Sequence, residues 1–487
     1  MKKFHVAIIG GGVIGSSIAW YLSKYKLDVA VFEAGSDVAS GASKANSGVI
    51  HSGINSPPSS LKAHFCAEGN KMFSALANRL GFSLTWVGKH IIAKNEKEVK
   101  ELERLKKVGK KNKVPNLEII DGKEVKKKEP NVPCVAALWV PTAGIIQPYE
   151  FTIALAENAA INNVKFLLET KVVGLKKEKN SFFIKTNKGN FLANTVINAA
   201  GVNCREIVNM LEKPDFFVFP CRGEYLVLDK TYSNLVNSMI YPVPQKELGV
   251  LGIHITPTIE GNILLGPSAE FIENINDRST TRNMMETLLF EAKKILPGLP
   301  DKAVIKAYSG IRCKLASPAE GGWADYIVEE SKQTPGFINL LGIESPGITA
   351  APAIAKEVTK MLSKSVDLKT KTDFKIRKKK KRFSQMNSKE RSDLIKKDKR
   401  WGRIICRCEH VTEAEVIDAF SNPIGAQTIS AAKYRCRVGL GRCQGGFCTQ
   451  HIVRILEKEF KTDIKKMKLK SPNSYLFFSR TREKKND

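Results

Sequence analysis

Four cysteines stand as two close pairs, Cys406-Arg-Cys408 and Cys443-Gln-Gly-Gly-Phe-Cys448, and offer thiolates at a spacing that suits a metal centre. Tetrahedral zinc and an iron–sulfur cluster both take such a set, so residue type alone leaves the two open. Just after the first pair, Thr412-Glu-Ala-Glu415 is a capping-box pattern. It predicts Cys408 at a helix entrance whose free N–H groups steady thiolate charge. Gly439, Gly441, Gly445 and Gly446 would let backbone amides approach the sulfurs. At the other end of the chain, Gly10-Gly-Gly12-Val13-Ile14-Gly15 can do a different chemistry. Gly10 permits a tight turn, Gly12 lets the backbone approach a pyrophosphate, and Gly15 allows close helix packing. Glu33 lies where an acid accepts from a ribose hydroxyl.

Positioning these groups requires particular elements. His5–Ile9 is expected to be a buried strand, Val13–Tyr25 a helix, and Val29–Phe32 a second strand ending at Glu33, which together make a βαβ unit. From there to about Leu362 the chain mixes strand-like and helical segments, among them Phe182–Lys185 and Ile348–Leu362, without a repeat. We read residues 1–363 as one oxidoreductase-sized α/β domain with an inserted sheet, 364–400 as a basic linker, 401–457 as a compact cysteine module and 458–487 as a basic surface tail.

The 487 residues carry a formal charge of +29. That excess suits an anionic substrate, membrane surface or nucleic acid without choosing among them. Nucleic acid is disfavoured because the basic runs, Arg377–Arg382 above all, lack interleaved aromatics. Half of the ten cysteines fall between Cys406 and Cys448, unlike a secreted disulfide framework, so a reducing, cytoplasmic setting is expected. Contact with the inner face of a membrane through the basic runs stays open. No apolar run is long enough to span a bilayer.

Three further segments carry a resemblance. Ala45-Asn46-Ser47-Gly48-Val-Ile-His51-Ser-Gly-Ile54, Thr195-Val-Ile-Asn-Ala-Ala200-Gly201 and Gly342-Ile-Glu-Ser345-Pro346-Gly347-Ile348-Thr349 resemble the flavin-contacting segments of the D-amino-acid-oxidase-like superfamily. The likeness spans about Lys3 to Leu362. It implies a two-dinucleotide-binding-type FAD fold with an inserted substrate-binding mixed sheet, and adds Ala34, Ser43 and Val172 to the cofactor-binding residues. Within the superfamily the chain is most similar to glycerol-3-phosphate dehydrogenases and oxidases, with L-2-hydroxyglutarate dehydrogenases close. Arg222–Tyr225, Gly252–Pro257, Gly261–Pro267 and Gly310–Arg312 are shared by both groups.

The resemblance makes His51 the base that takes a hydroxyl proton while hydride leaves for the flavin, a role open to an imidazole titrating near neutrality. His254 is the competing candidate, or a second substrate contact beside Ser345. Arg312 is expected to hold the substrate's anionic end with its planar fork of donors. Related oxidases place a lysine before the second substrate strand, and Lys246-Glu-Leu-Gly249 offers no clear equivalent. The cysteine module, from about Trp401, resembles the bacterioferritin-associated-ferredoxin-like [2Fe–2S] domain, which implies Cys406, Cys408, Cys443 and Cys448 as ligands. This small helical module would relay electrons to a quinone or a partner subunit. Cys436, Cys66, Cys134, Cys204, Cys221 and Cys313 are read as bystanders.

Overall fold

The computed structural model describes residues 1–244, 252–378 and 380–479. Lys246–Gly249 and Lys379 lie outside the described residues. Strand Lys2–Ile9 is the hub of an eight-stranded sheet, pairing in parallel with Val29–Phe32 on one side and Gly189–Asn198 on the other. Burial on both faces explains the unbroken apolar runs: Val6, Ile8, Val29 and Val31 face the helix Val13–Leu22, while Ala7, Ile9, Ala30 and Phe32 face the opposite layer. Val13–Leu22 is shorter than the predicted helix and buried nearly all round, because helices Pro148–Ala160 and Gly347–Leu362 pack against it.

A nine-stranded mixed sheet is the predicted insertion. Its longest pairing joins Phe219–Leu228 to Val304–Lys314 in antiparallel register, with Cys221 opposite Arg312 and Gly223 opposite Gly310. Alternation along Val304–Lys314 sends Lys306, Tyr308, Gly310 and Arg312 toward one face. Helix Leu61–Leu80 crosses Gly347–Leu362 in backbone contact, for a Cβ at Gly69 would lie 1.8 Å from the Thr349 carbonyl oxygen.

The stretch 364–400 departs from an open linker. Asn158 and Asn162, one turn apart, each grip an extended backbone: Asn158 receives the Arg377 N–H (2.7 Å) and donates to its carbonyl (2.9 Å), and Asn162 does the same for Lys375. The basic run is engaged within the chain. Arg377 pairs with Glu157, Lys380 with Asp418, Lys381 with Glu390, and Arg382 with Glu260. A capped helix, Ser388–Lys397, follows. Nor are the last residues a free tail as far as Ser479. Met467 is buried, Lys468 and Leu469 accept the Ile429 and Ser430 amides, and Lys468 reaches Glu169 at 2.7 Å. Single-residue charge patterning could not reveal most of these partners, since Glu157, Glu169, Glu260 and Asp418 lie far away in sequence. Among the described residues no helix is long and apolar enough to cross a membrane.

Candidate active site and cluster loop

The first βα turn is built by local geometry. Gly10 adopts φ +109°, and a Cβ at Gly15 would sit 1.9 Å from the Gly10 carbonyl oxygen, so neither position tolerates a side chain. Glu33 accepts the Gly11 and Gly35 amides at 2.8 and 2.6 Å, which fixes its carboxylate beside the turn. Burial raises its pKa, and those two amides work against the rise.

From this turn a cavity of about 1370 Å³ runs to the inserted sheet. Ordinary ligand pockets hold roughly 300–1,000 Å³, so there is room for a dinucleotide and more. Gly10, Gly12, Val13 and Ile14 line it, as do Glu33 and Ala34, then Ser43, Asn46 and Ser47. Val172, Ala200 and Gly201 form another wall, and Ser345, Pro346, Gly347 and Ile348 close the far end. Four predicted contacts do not line the cavity: Gly15, Gly48, Gly342 and Thr349 act behind it. Gly48 (φ +67°) lies against the Ile146 carbonyl, Gly342 against Leu315, and buried Thr349 accepts the His51 amide at 2.9 Å.

His51 follows the strand Val49–Ile50, and both its backbone groups are held: Thr349 takes the N–H, and Asn70 Nδ2 donates to the carbonyl at 2.9 Å. Its Nε2 meets Ser345 Oγ at 3.3 Å. Burial, with Lys89 nearby, pushes the imidazole down to about 3, not the near-neutral titration expected from its type. The ring is therefore neutral and able to accept a proton. His254 lines the same cavity but stacks on Tyr241, ring centroids 3.5 Å apart, in the middle of the sheet. Arg312 donates to the Ser268 carbonyl at 3.0 Å and touches Cys221 Sγ at 3.6 Å, and no carboxylate among the described residues lies within ion-pair distance of it. Its guanidinium lies over Gly223, where a Cβ would come within 2.7 Å of Nη2. Two presumed bystander cysteines thus touch the site: Cys221 at Arg312, and Cys66, which donates to the His51 carbonyl.

Sequence reading missed two features. Glu344, buried, binds Lys62 at 2.9 Å and Lys314 at 3.3 Å. Burial opposes its ionisation, but the two amines more than offset that and lower its pKa. This triad anchors the Ser345 corner. Lys89, 1% exposed, points its amine over the Tyr241 ring at 4.7 Å and has its pKa lowered to about 8 by burial. A lysine opening the apolar run Lys89–Ala93 was the available signal.

In the C-terminal module the capping box forms as predicted, with Thr412 and Glu415 satisfying each other. Cys408 is nevertheless not at that helix entrance. It lies in the turn of a short hairpin that pairs Ile404–Cys406 with Val411–Thr412, and the residue at a helix N-cap is Cys448, before Thr449–Glu459. The thiols meet crosswise, Cys406 with Cys448 and Cys408 with Cys443. The Cys448 contact, helped by the Gly439 and Glu409 amides, draws Cys406 down to about 6. Gly441 is required here, for a Cβ would fall 2.2 Å from Cys408 Cβ. Two thiol pairs suit a two-iron cluster, in which each iron would take two thiolates. Cys436 stays apart, bonded to the Ala432 carbonyl.

The module is docked by buried arginines. Arg435 binds Asp37 at 2.6 Å and Glu157 at 2.7 Å, and Arg437 binds Glu409 at 2.8 Å and the Tyr149 hydroxyl at 3.2 Å. Tyr149 lines the cavity, so one guanidinium bridges the cavity wall and the loop after Cys408.

A dinucleotide turn, a cavity beside a mixed sheet and a two-pair thiol loop define an oxidoreductase that joins a flavin to an iron–sulfur cluster. The chain belongs to the family described as FAD dependent oxidoreductase (DAO), which it matches over residues 5–361, and residues 404–458 match the BFD-like [2Fe-2S] binding domain. FAD and a [2Fe–2S] cluster are its cofactors. Among its relatives is a glycerol 3-phosphate dehydrogenase of Caloramator mitchellensis, 39% identical over 98% of this chain and 99% of the relative. A mitochondrial L-2-hydroxyglutarate dehydrogenase of Arabidopsis thaliana is 30% identical, covering 73% of this chain and 83% of the relative. The dithionite-reduced, FAD-bound L-alpha-glycerophosphate oxidase of Mycoplasma pneumoniae superposes with a TM-score of 0.72 at 31% identity, over 77% of this chain and 98% of that one.

Proposed function

We propose that this protein oxidises sn-glycerol 3-phosphate to dihydroxyacetone phosphate and passes the electrons through its cluster to a quinone or partner subunit. The observation that carries the substrate reading is the likeness to a glycerol 3-phosphate dehydrogenase along the whole chain, cluster module included; the match to the L-2-hydroxyglutarate dehydrogenase covers less. The site chemistry supports it. His51 Nε2 receives the hydroxyl proton, with Ser345 Oγ orienting the ring from 3.3 Å. Arg312 and Lys89 are two cations in one cavity without carboxylate ion pairs among the described residues, and together they suit a dianionic phosphate. A bound anion would also offset the repulsion by which Lys89 disfavours a protonated His51, the smaller of the two causes after burial. Bound FAD supplies the hydride acceptor. The cluster supplies one-electron steps outward.

Anaerobic titration tests the substrate: glycerol 3-phosphate should bleach the flavin band stoichiometrically. Bleaching by L-2-hydroxyglutarate alone would replace the phosphate with a carboxylate on Arg312 and overturn the reading. The relay is tested by Cys443→Ser. Iron and acid-labile sulfide should be lost, flavin bleaching by substrate should keep its rate, and reoxidation by a one-electron acceptor should slow. Reoxidation at the wild-type rate would remove the cluster from the path.

A further inference from the structure

The cavity extends beyond the space a flavin and a small substrate require. Lys306 and Arg312 share one face of strand Val304–Lys314, six residues apart, which places Lys306 about 20 Å along the strand from the substrate arginine. At that end the cavity is walled by Lys44, by Lys306 and by Lys433 of the cluster module, all half-buried, with exposed Arg278 and Lys470 at the rim. The Lys306 and Lys433 side chains both line this end and are close enough for each to shift the other's pKa. Lys44 reaches the same wall, its amine 5.5 Å from the centre of the Tyr434 ring.

These amines contrast with the other basic groups at the junction. Arg382, Arg435, Arg437, Arg442 and Lys468 each hold a carboxylate at 3.0 Å or less. Among the described residues no acid lies within ion-pair distance of Lys44, Lys306 or Lys433. Burial lowers all three amines, Lys433 to about 7 and Lys44 to about 8, and neighbouring cations add to the effect on Lys44 and Lys433. Neighbouring ammonium groups repel one another, which opposes protonating both amines at once. A doubly charged anion between them lets both be protonated and satisfied.

We propose that this lobe, between the oxidoreductase domain and the cluster module, is a second anion site for a phosphate-bearing ligand of at least two negative charges, held by Lys306 and Lys433 with Lys44 beside them. It is separate from the anion site at Arg312, and it does not depend on which alcohol the enzyme oxidises.

Calorimetric titration of the full-length, FAD- and cluster-loaded protein with pyrophosphate tests it. Wild type should bind one equivalent at this lobe, besides any that occupies the substrate's anion site at Arg312. Lys306→Gln and Lys433→Gln should each weaken binding about tenfold and the double variant about a hundredfold, as expected for losing one and two charge-assisted contacts. Arg312→Met should bind at the lobe as wild type does. ADP binding no tighter than pyrophosphate would show that the lobe reads phosphates alone, and tighter binding would show a nucleotide site; both support the proposal. Three results overturn it: no heat with wild type, binding lost in Arg312→Met but kept in the double variant, or FAD released from the double variant, which would assign the amines to the flavin nucleotide. Because pyrophosphate is not a substrate, failure here leaves the alcohol assignment standing, and failure of flavin bleaching leaves this site standing.

Discussion

His51→Asn should slow flavin reduction by glycerol 3-phosphate about 10²–10⁴-fold, the usual worth of a positioned base, while FAD stays bound. Asparagine preserves a polar group toward Ser345 but cannot take up the proton. Anaerobic stopped-flow at the flavin band measures the effect. His254→Asn supplies the contrast: its ring is stacked on Tyr241 within the sheet, so substitution should alter substrate affinity more than the rate at saturation. A large rate loss in His254→Asn with little in His51→Asn would exchange the two roles. The pH dependence follows from the same environment. A base works when neutral, above its own pKa, and His51 is held near 3, so reduction should be level from about pH 5 to pH 8 as far as this group is concerned. Stability behaves correspondingly. The depressed folded-state pKa means that only the unfolded chain binds a proton as pH falls from about 6.5 toward 3, so His51 favours unfolding across that window and has no such effect above it.

Arg435→Met should loosen the cluster module by about 3–5 kcal/mol, the cost of removing one partner from a buried ion pair. Asp37 has no other ion pair among the described residues, whereas Glu157 keeps Arg377. Lysine should not restore the loss, because one ammonium cannot reproduce the two bonds to Asp37 and the third, through Nε, to Glu157. Hydrogen exchange of the helix Ile429–Cys436 and proteolysis in 364–400 report on docking directly, and flavin absorbance reports separately on the first domain. Unchanged exchange in Arg435→Met would mean that apolar contacts, such as Ala431 against Val38 and Ile153, hold the module without it.

Much of the cofactor chemistry was legible because it is local. Gly10, Gly15 and Glu33 act within one turn and its flanking strands, and Thr412 with Glu415 closes a cap over three residues, so short-range spacing carries the information. The role proposed for His51 was legible only through resemblance. The depressed pKa of its imidazole arises first from burial and then from Lys89, on a different strand of another sheet, and no pattern around His51 announces either. The error about Cys408 has a similar origin: the helix entrance was found, but the hairpin whose turn holds Cys408 was not.

The glycine turn and the paired spacing of the four thiols could be read from neighbouring residues, since steric permission and side-chain chemistry are local properties. Folding was needed to bring the thiols together crosswise, to clamp Lys375 and Arg377 with asparagines and Arg382 with an acid, and to place Lys306 and Lys433 in one cavity wall. Each joins groups tens to hundreds of residues apart, and what charge or burial does to them depends on partners that folding alone brings within reach.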